Sequence, residues 1–383
     1  MAGSKKNLVL IVLAFIIFLS LFLFRVKDEM IDFEVNYRAG QRIWLGETLY
    51  RTEDGHYQFK YSPFSSLLYL PLTFLPLSVA KGIWYFLILF SYGFIFYLSG
   101  RLLAIKNKFY LYVLITFLIL SKFMLREIQL GQINAVITMI AMIMVWWLVS
   151  KERSFLLPNK NWAGLAAGVA TALKPYALIF FPYFFIKKQW KALFYGIILV
   201  VVSLLIPSAF YGFKGNFRVL QEWISSLSKS SPHLFNVQDN VSFIGFFLKW
   251  TGNEKISFIF YLAALISLAI FMLVVAKKGN RLGQPEILDC SLLLIFIPLI
   301  SPLGWEYNFL MALPGTMIIL VNFNHYPKSA KVLLFLNFFI ITFSFYDLLG
   351  KELYERFMFL SIPTLNFLII IVYLAYLRFK NIA

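Results

Sequence analysis

The sequence has one cysteine, three histidines, and only 18 acidic residues against 35 lysines and arginines. Because Cys290 has no second cysteine to pair with, no disulfide forms within the chain, and cysteine content does not indicate a compartment. No Gly-rich phosphate loop, Walker motif or GxSxG sequence occurs, so the chain is not expected to consume a nucleotide. The histidines and acids lack metal-ligand spacing, and we predict no metal site and no cofactor.

Apolar residues dominate what is present. Of 383 residues, 61% are hydrophobic and 19% aromatic, and the mean hydropathy is +0.78. Soluble domains are about half apolar, so this composition predicts an all-α, polytopic transmembrane protein. The formal net charge of +17 is explained by cationic cytoplasmic loops, and we do not expect nucleic acid as a partner.

Ten apolar runs are long enough to cross, or nearly cross, a hydrocarbon core of about 30 Å. They lie at 8–24, 79–104, 109–125, 131–150, 192–211, 254–276, 286–303, 306–322, 330–348 and 356–377. The first follows two lysines and lacks a small-residue cleavage site, which favours an uncleaved span with a cytoplasmic N-terminus. The stretch 61–77 is short and carries three prolines, so we place it at the outer interface.

The segment 162–186 is interrupted in its middle by Lys174-Pro175. If its halves form a broken hairpin, all basic loops fall on one face, as the positive-inside rule requires. A single span would instead place the loop at Lys187 outside. The hairpin gives about twelve helical segments, both termini in the cytoplasm, and one domain over 1–383 in the plasma or inner membrane.

Two long outer segments, 25–62 and 212–253, remain. The first carries an acid-bearing stretch in which Phe33, Tyr37 and Trp44 have helical spacing, which predicts an amphipathic helix at the extracytoplasmic face. Its acids are candidates for a base offered to a lipid-borne substrate. Residue types alone leave Asp32 in competition with its neighbours Asp28, Glu29 and Glu34, and all four could be a solvated loop.

Lys174 is an unusual residue for an apolar stretch. A central lysine costs about 2.5–3.5 kcal/mol on insertion scales, so it normally faces a cavity and has a partner. Pro175 ends one half-helix and starts the next, whose N-terminus also favours an anion. One interpretation is therefore a site for a lipid-carrier phosphate; the other is a lysine that reaches water near a helix end.

Arg126-Glu127 is followed closely by Gln129, Gln132 and Asn134, and much of this set shares one helical face. Amide side chains suit sugar hydroxyls. They could equally solvate a helix end or bond neighbouring helices.

Six motifs in chain order resemble glycosyltransferase family 87, of the GT-C superfamily. They are the stretch 32–50, Phe59-Lys-Tyr-Ser-Pro63, Gly131-Gln-Ile-Asn134, Leu173-Lys-Pro175, Asn240-Val-Ser242 and Ser301-Pro-Leu-Gly-Trp305. The family includes polyprenyl-phosphate-mannose-dependent α-mannosyltransferases. The resemblance implies transfer from polyprenyl phosphate to a glycolipid or polysaccharide hydroxyl, with inversion and on the extracytoplasmic side. It makes Asp32 the base.

Within this resemblance we expect Lys174 and Arg126 to bind the donor phosphate. We expect the sugar or acceptor to contact Tyr37, Gln129, Gln132, Asn134, Asn240, Trp305 and Glu306. Family members often have an Asp-His type pair after the tryptophan, whereas this chain has Glu306-Tyr307. The donor sugar, mannose first, could therefore be another lipid-linked pentose or hexose. A transporter of lipid-linked glycan and a non-catalytic scaffold are the alternatives from other classes.

Overall fold

The computed structural model describes residues 16–149, 160–230, 232–278 and 285–382, and in these the regular structure is helical. Strands do not form within these ranges because a chain surrounded by lipid must satisfy its backbone groups internally. The helices are α1 (Ile16–Val26), α2 (Ile31–Trp44), α3 (Pro63–Tyr69), α4 (Leu77–Leu102), α5 (Phe109–Leu130), α6 (Asn134–Val149), α7 (Ala163–Leu173), α8 (Phe180–Ile186), α9 (Trp190–Leu205), α10 (Ser208–Ser230), α11 (Phe243–Thr251), α12 (Glu254–Lys277), α13 (Pro285–Ile300), α14 (Leu313–Val321), α15 (Lys328–Phe343), α16 (Tyr346–Phe359) and α17 (Ile362–Lys380).

Four of these helices, α4, α5, α12 and α17, are long and apolar enough to cross a membrane. Two bent pairs bring the number to as many as six. The chain is thus an all-α, multi-pass membrane protein, as predicted. Beyond the twelve predicted segments, the two long segments between apolar runs also contain helices: α2 lies within 25–62, and α10 and α11 occupy most of 212–253.

Two apolar runs end in sharp bends. The axis turns by 90° between α9 and α10, and by 105° between α15 and α16. Helices α9 and α15 are therefore shorter than the apolar runs 192–211 and 330–348 that predicted them. Because α10 and α16 turn across the helices that precede them, both are placed to cover one end of the helix bundle.

The segment 162–186 breaks at Lys174, which has an extended backbone (φ −141°, ψ 117°) between α7 and a 3-10 helix at Pro175–Ile179. Helices α7 and α9 run parallel, because Gly164 approaches Ala192 and Gly168 approaches Gly196. The chain between them must therefore reverse, and Lys174 lies at the reversal. A Cβ on Gly164 would lie 1.7 Å from the Ala192 carbonyl oxygen, so only glycine permits this approach.

A buried charged cluster lies between α13, α17 and the end of α8. Asp289 of α13 and Arg378 of α17 are both fully buried, with 2.9 Å between Oδ1 and Nε. Lys187 lies 3.0 Å from the second carboxylate oxygen of Asp289. These three charges, which the sequence places among the cytoplasmic loops, join α8, α13 and α17.

Candidate active site

A cavity of about 1820 Å³ opens into the protein beside α2 and α5. The loop before α3, the turn at Lys174, α10, the segment 300–308 and the start of α16 complete its wall. The lining is mostly apolar near α1, α4 and α8, and polar where α2 meets the end of α5. Such a cavity can hold an amphiphilic ligand, with its polar group against the α2 and α5 termini.

Asp32 lies in the first turn of α2 and lines the cavity. The helix begins after Met30, which has a positive φ of 61° and whose N–H donates to the Gln129 carbonyl at 2.8 Å. This bond ties the start of α2 to the end of α5. The side chain of Asn36, one turn later, donates to the Asp32 carbonyl at 2.7 Å.

The turn at Gly131 places Gln132 beside Asp32. Gly131 ends α5 in the left-handed region (φ +69°), and its carbonyl accepts a 2.9 Å hydrogen bond from the indole of Trp84. A Cβ here would also lie 2.7 Å from the Cβ of Phe33, so both conformation and space require glycine. The turn places Gln132 Nε2 2.7 Å from Asp32 Oδ2.

The neighbouring acids are arranged differently. Glu34 forms an ion pair with Lys81 at 2.7 Å, and Lys81 also donates to the carbonyls of Lys27 and Glu29. Asp28 is exposed. Of the four acids that the sequence leaves in competition, Asp32 is the one that both lines the cavity and accepts a hydrogen bond from the side chain of Gln132.

Lys174 reaches the same place from the chain reversal. Its Nζ lies 3.2 Å from Gln132 Oε1 and 2.7 Å from Asn134 Oδ1. The rings of Tyr61 and Tyr176 lie 5.0 and 5.4 Å from this ammonium group, at cation–π distance. The side chain is buried and lines the cavity, so it is not a lysine that reaches bulk water near a helix end.

Glu127 is the residue that sequence reasoning did not select. It is fully buried, accepts from Asn134 Nδ2 at 2.8 Å and from the Ala135 N–H at 3.0 Å, and lies outside the cavity wall. Its position beside Arg126 suggested a solvated helix end. The signal that could have found it is the run of amides directly after it, which supplies donors to a buried carboxylate.

A family model, glycosyltransferase family 87, matches residues 59–302, which is more than half of the chain. This chain belongs to glycosyltransferase family 87.

Among curated proteins, the chain is similar to a polyprenol-phosphate-mannose-dependent alpha-(1-2)-phosphatidylinositol pentamannoside mannosyltransferase of Mycolicibacterium smegmatis. The identity is 22% over 287 residues, which cover 73% of this chain and 64% of the relative. The chain thus spans less than two thirds of that protein's length. No solved structure matches the chain.

Two predicted sugar ligands of the family 87 site have other partners. Gln132 gives its two N–H groups to Asp32 and to Tyr307 Oη, the latter at 3.2 Å, and its oxygen accepts from Lys174 and Tyr61. Asn134 is fully buried, and its oxygen likewise accepts from Lys174 and Tyr176. These bonds use most of the capacity of each amide, so both organise the site instead of presenting free groups to a sugar.

Tyr37 and Asn240 lie away from the cavity wall. The Tyr37 hydroxyl donates to the Leu75 carbonyl at 2.8 Å. Asn240 is fully buried and bonds only main-chain groups: its oxygen accepts from Gly304 N–H at 3.1 Å, and its nitrogen donates to the Pro302 carbonyl at 2.9 Å. Each of these two side chains thus fastens one backbone segment to another, and their contact with substrate stays a prediction.

The remaining predicted ligands, Arg126, Gln129, Trp305 and Glu306, all line the cavity. Arg126 donates to Gln129 at 2.6 Å. Glu306 is paired with Lys122 at 2.7 Å and accepts from the Tyr354 hydroxyl at 3.1 Å. Lys122 lies in an apolar span, and its pairing with a residue 184 positions away is not visible in the sequence.

Lys60 is a second cation that the sequence did not single out. It lines the cavity, and its ammonium group has no hydrogen-bond acceptor among the described residues. Burial lowers the pKa of Lys60, while the charge of nearby Asp32 acts in the opposite direction. An unpaired, partly desolvated cation in the cavity wall suits an anionic ligand.

Proposed function

We propose that this family 87 enzyme transfers a sugar, most simply mannose, from a polyprenyl phosphate to an acceptor hydroxyl. Asp32 is the general base. The observation that carries the proposal is that Asp32 and Lys174 line one large, partly apolar cavity and both hydrogen-bond to Gln132. The name of the mycobacterial relative supports polyprenol-phosphate-mannose as the donor and a glycolipid as the acceptor.

Asp32 has one oxygen engaged and one available. Oδ2 accepts from Gln132, whereas no described residue donates to Oδ1. In the proposed step Oδ1 takes the proton of the acceptor hydroxyl, and the acceptor oxygen forms a bond to the sugar C1. The C1–phosphate bond breaks, and its electron pair leaves with the polyprenyl phosphate. General-base assistance of this kind contributes about 10² to 10⁴ in rate.

The leaving phosphate needs positive charge that is already in place. Lys174 has used two of its three N–H groups on Gln132 and Asn134, and the third is left for a phosphate oxygen. Lys60 and Arg126 line the same cavity. Preorganised cations in a site that excludes water stabilise the charge that concentrates on the leaving oxygen.

A lipid phosphate is an activated donor, so the proposed reaction needs neither a nucleotide nor a metal. One displacement inverts the configuration at C1 and forms no covalent glycosyl-enzyme. The apolar part of the cavity, lined by Leu21, Leu89 and Pro182, suits the polyprenyl chain. We place the site at the extracytoplasmic face of the plasma or inner membrane, where α10 and α16 cover the bundle.

The test compares wild type with Asp32→Asn, using radiolabelled synthetic polyprenyl-phosphate-mannose and a separate donor-binding assay. We expect Asp32→Asn to bind donor within a few fold of wild type and to transfer at least about a hundredfold more slowly. Glu34→Gln is the matched control, because this acid lies on the same helix but is paired with Lys81. It should transfer at close to the wild-type rate.

Transfer by Asp32→Asn at the wild-type rate would overturn the assignment of the base. Binding of polyprenyl phosphate by wild type without mannose transfer would reject mannose and leave another lipid-linked sugar. Absence of any polyprenyl-phosphate binding would reject the donor class.

A further inference from the structure

Five side chains form an unbroken row from the cavity into the protein. They are Asp32, Gln132, Lys174, Asn134 and Glu127, and their successive hydrogen bonds measure 2.7, 3.2, 2.7 and 2.8 Å. The row has the lysine at its centre, one amide on each side of it and one carboxylate at each end. Asp32 faces the cavity, whereas Glu127 is fully buried behind it.

The carboxylates determine how the two amides are turned. An amide donates only through nitrogen and accepts only through oxygen. Because Asp32 and Glu127 each bind an amide nitrogen, Gln132 and Asn134 both direct their oxygens at the Lys174 ammonium group. Glu127 thus orients Asn134, and Asn134 holds Lys174.

The two carboxylates are not equivalent in the proposed reaction. Asp32 becomes neutral when it takes the acceptor proton. Glu127 does not line the cavity, so it takes no part in the transfer of the acceptor proton. A buried ammonium ion is stable only while an opposite charge or strong acceptors remain close to it, and both carboxylates interact electrostatically with Lys174.

We propose that Glu127 is a positioning residue for glycosyl transfer: it is the permanent counter-ion that keeps Lys174 protonated and aimed at the donor phosphate while Asp32 changes charge. This inference rests on the proposed function, since it assumes that Lys174 meets a phosphate. It predicts that the protonation of Lys174, and with it the binding of phosphate, becomes sensitive to pH when Glu127 loses its charge.

The titratable groups in and beside this row come from several elements. They are Asp32 of α2, Tyr61 of the loop before α3, Tyr69 of α3, Glu127 of α5, Tyr176 of the 3-10 helix and Tyr307 after α13. Apart from Glu127, Asp32 is the acid in this set. Removing Glu127 therefore leaves Lys174 dependent on a carboxylate that the reaction itself neutralises.

The experiment measures binding of synthetic polyprenyl phosphate to purified protein between pH 6 and pH 9.5. Affinities are expressed as the ratio of variant to wild type at each pH, which cancels the titration of the phosphate. For Glu127→Gln we expect this ratio to fall by about tenfold between pH 7 and pH 9, because loss of a neighbouring opposite charge makes the lysine easier to deprotonate.

Two further variants separate this role from a structural one. In Glu127→Gln/Lys174→Arg the guanidinium stays charged at every pH, so the ratio should no longer fall with pH. Asp289→Asn is the matched control, because it removes another fully buried carboxylate from a charged cluster that does not line the cavity. Its ratio should be the same at every pH.

A folded Glu127→Gln variant with a ratio independent of pH would overturn the inference and leave the proposed function standing. If that variant does not fold, wild type is compared with Lys174→Arg, whose guanidinium stays charged at every pH. A ratio of wild-type to Lys174→Arg affinity that falls about tenfold between pH 7 and pH 9 then overturns the inference, because Lys174 would lose its proton although Glu127 is present. Wild type that binds no polyprenyl phosphate at any pH would overturn the proposed function and this inference with it.

Discussion

Removal of the Lys174 charge tests, through the free energy of unfolding, whether Lys174 and Glu127 stabilise each other. Lys174→Met keeps the length of the side chain and takes away the ammonium group. Glu127 then stays fully buried with two neutral donors, Asn134 Nδ2 and the Ala135 N–H, and with no cation. An uncompensated buried charge is the expected result.

The expected magnitudes follow from this geometry. Breaking a buried ion pair by removing one partner costs about 3–5 kcal/mol. Glu127→Gln should cost less, about 1–3 kcal/mol, because Lys174 still binds Gln132 and faces the cavity. The double variant removes both charges, so its cost should fall short of the sum of the single costs by about 0.5–3 kcal/mol.

The assay is thermal unfolding of the four purified proteins in one detergent, at low and at moderate salt. The control is the pair of variants Lys81→Met and Asp289→Asn, whose residues belong to separate ion-pair clusters and share no partner. Their costs should add. Additive costs for Lys174→Met and Glu127→Gln would refute the reasoning, because they would mean that the two charges do not stabilise each other.

Two other outcomes are expected. Gly164→Ala should destabilise the protein by about 1–3 kcal/mol and reduce the rate of transfer. Its Cβ would meet a main-chain oxygen of α9 and displace α7, the helix that leads to Lys174. The control Gly93→Ala should have neither effect, because the space around Gly93 is open. The pKa of Asp54 is lowered by its bonds to Arg42, so the stability from this pair is complete above about pH 4 and is lost as pH falls below it. The unfolding midpoint of Asp54→Asn should therefore decline less between pH 5 and pH 3 than that of wild type.

The sequence by itself determined the class of the fold and several places in it. Its apolar composition requires helices in lipid, and the Lys174-Pro175 pair marks the chain break, because a proline cannot continue the preceding half-helix. The order of the motifs was sufficient to indicate family 87. These are local properties, which depend on residue types and short spacings.

The tertiary structure decided which polar residues act together. Residue type alone does not distinguish Asp32 from Glu34, and they differ in the structure because Lys81 of α4 reaches only Glu34. The sequence indicated a solvated helix end at Glu127 and an amide free to bind a sugar at Gln132. In the structure, α2, α5 and the turn at Lys174 pack together, and both side chains are hydrogen-bonded within the protein. Hydrogen bonds between residues about 40 to 100 positions apart depend on helix packing, which no local pattern specifies.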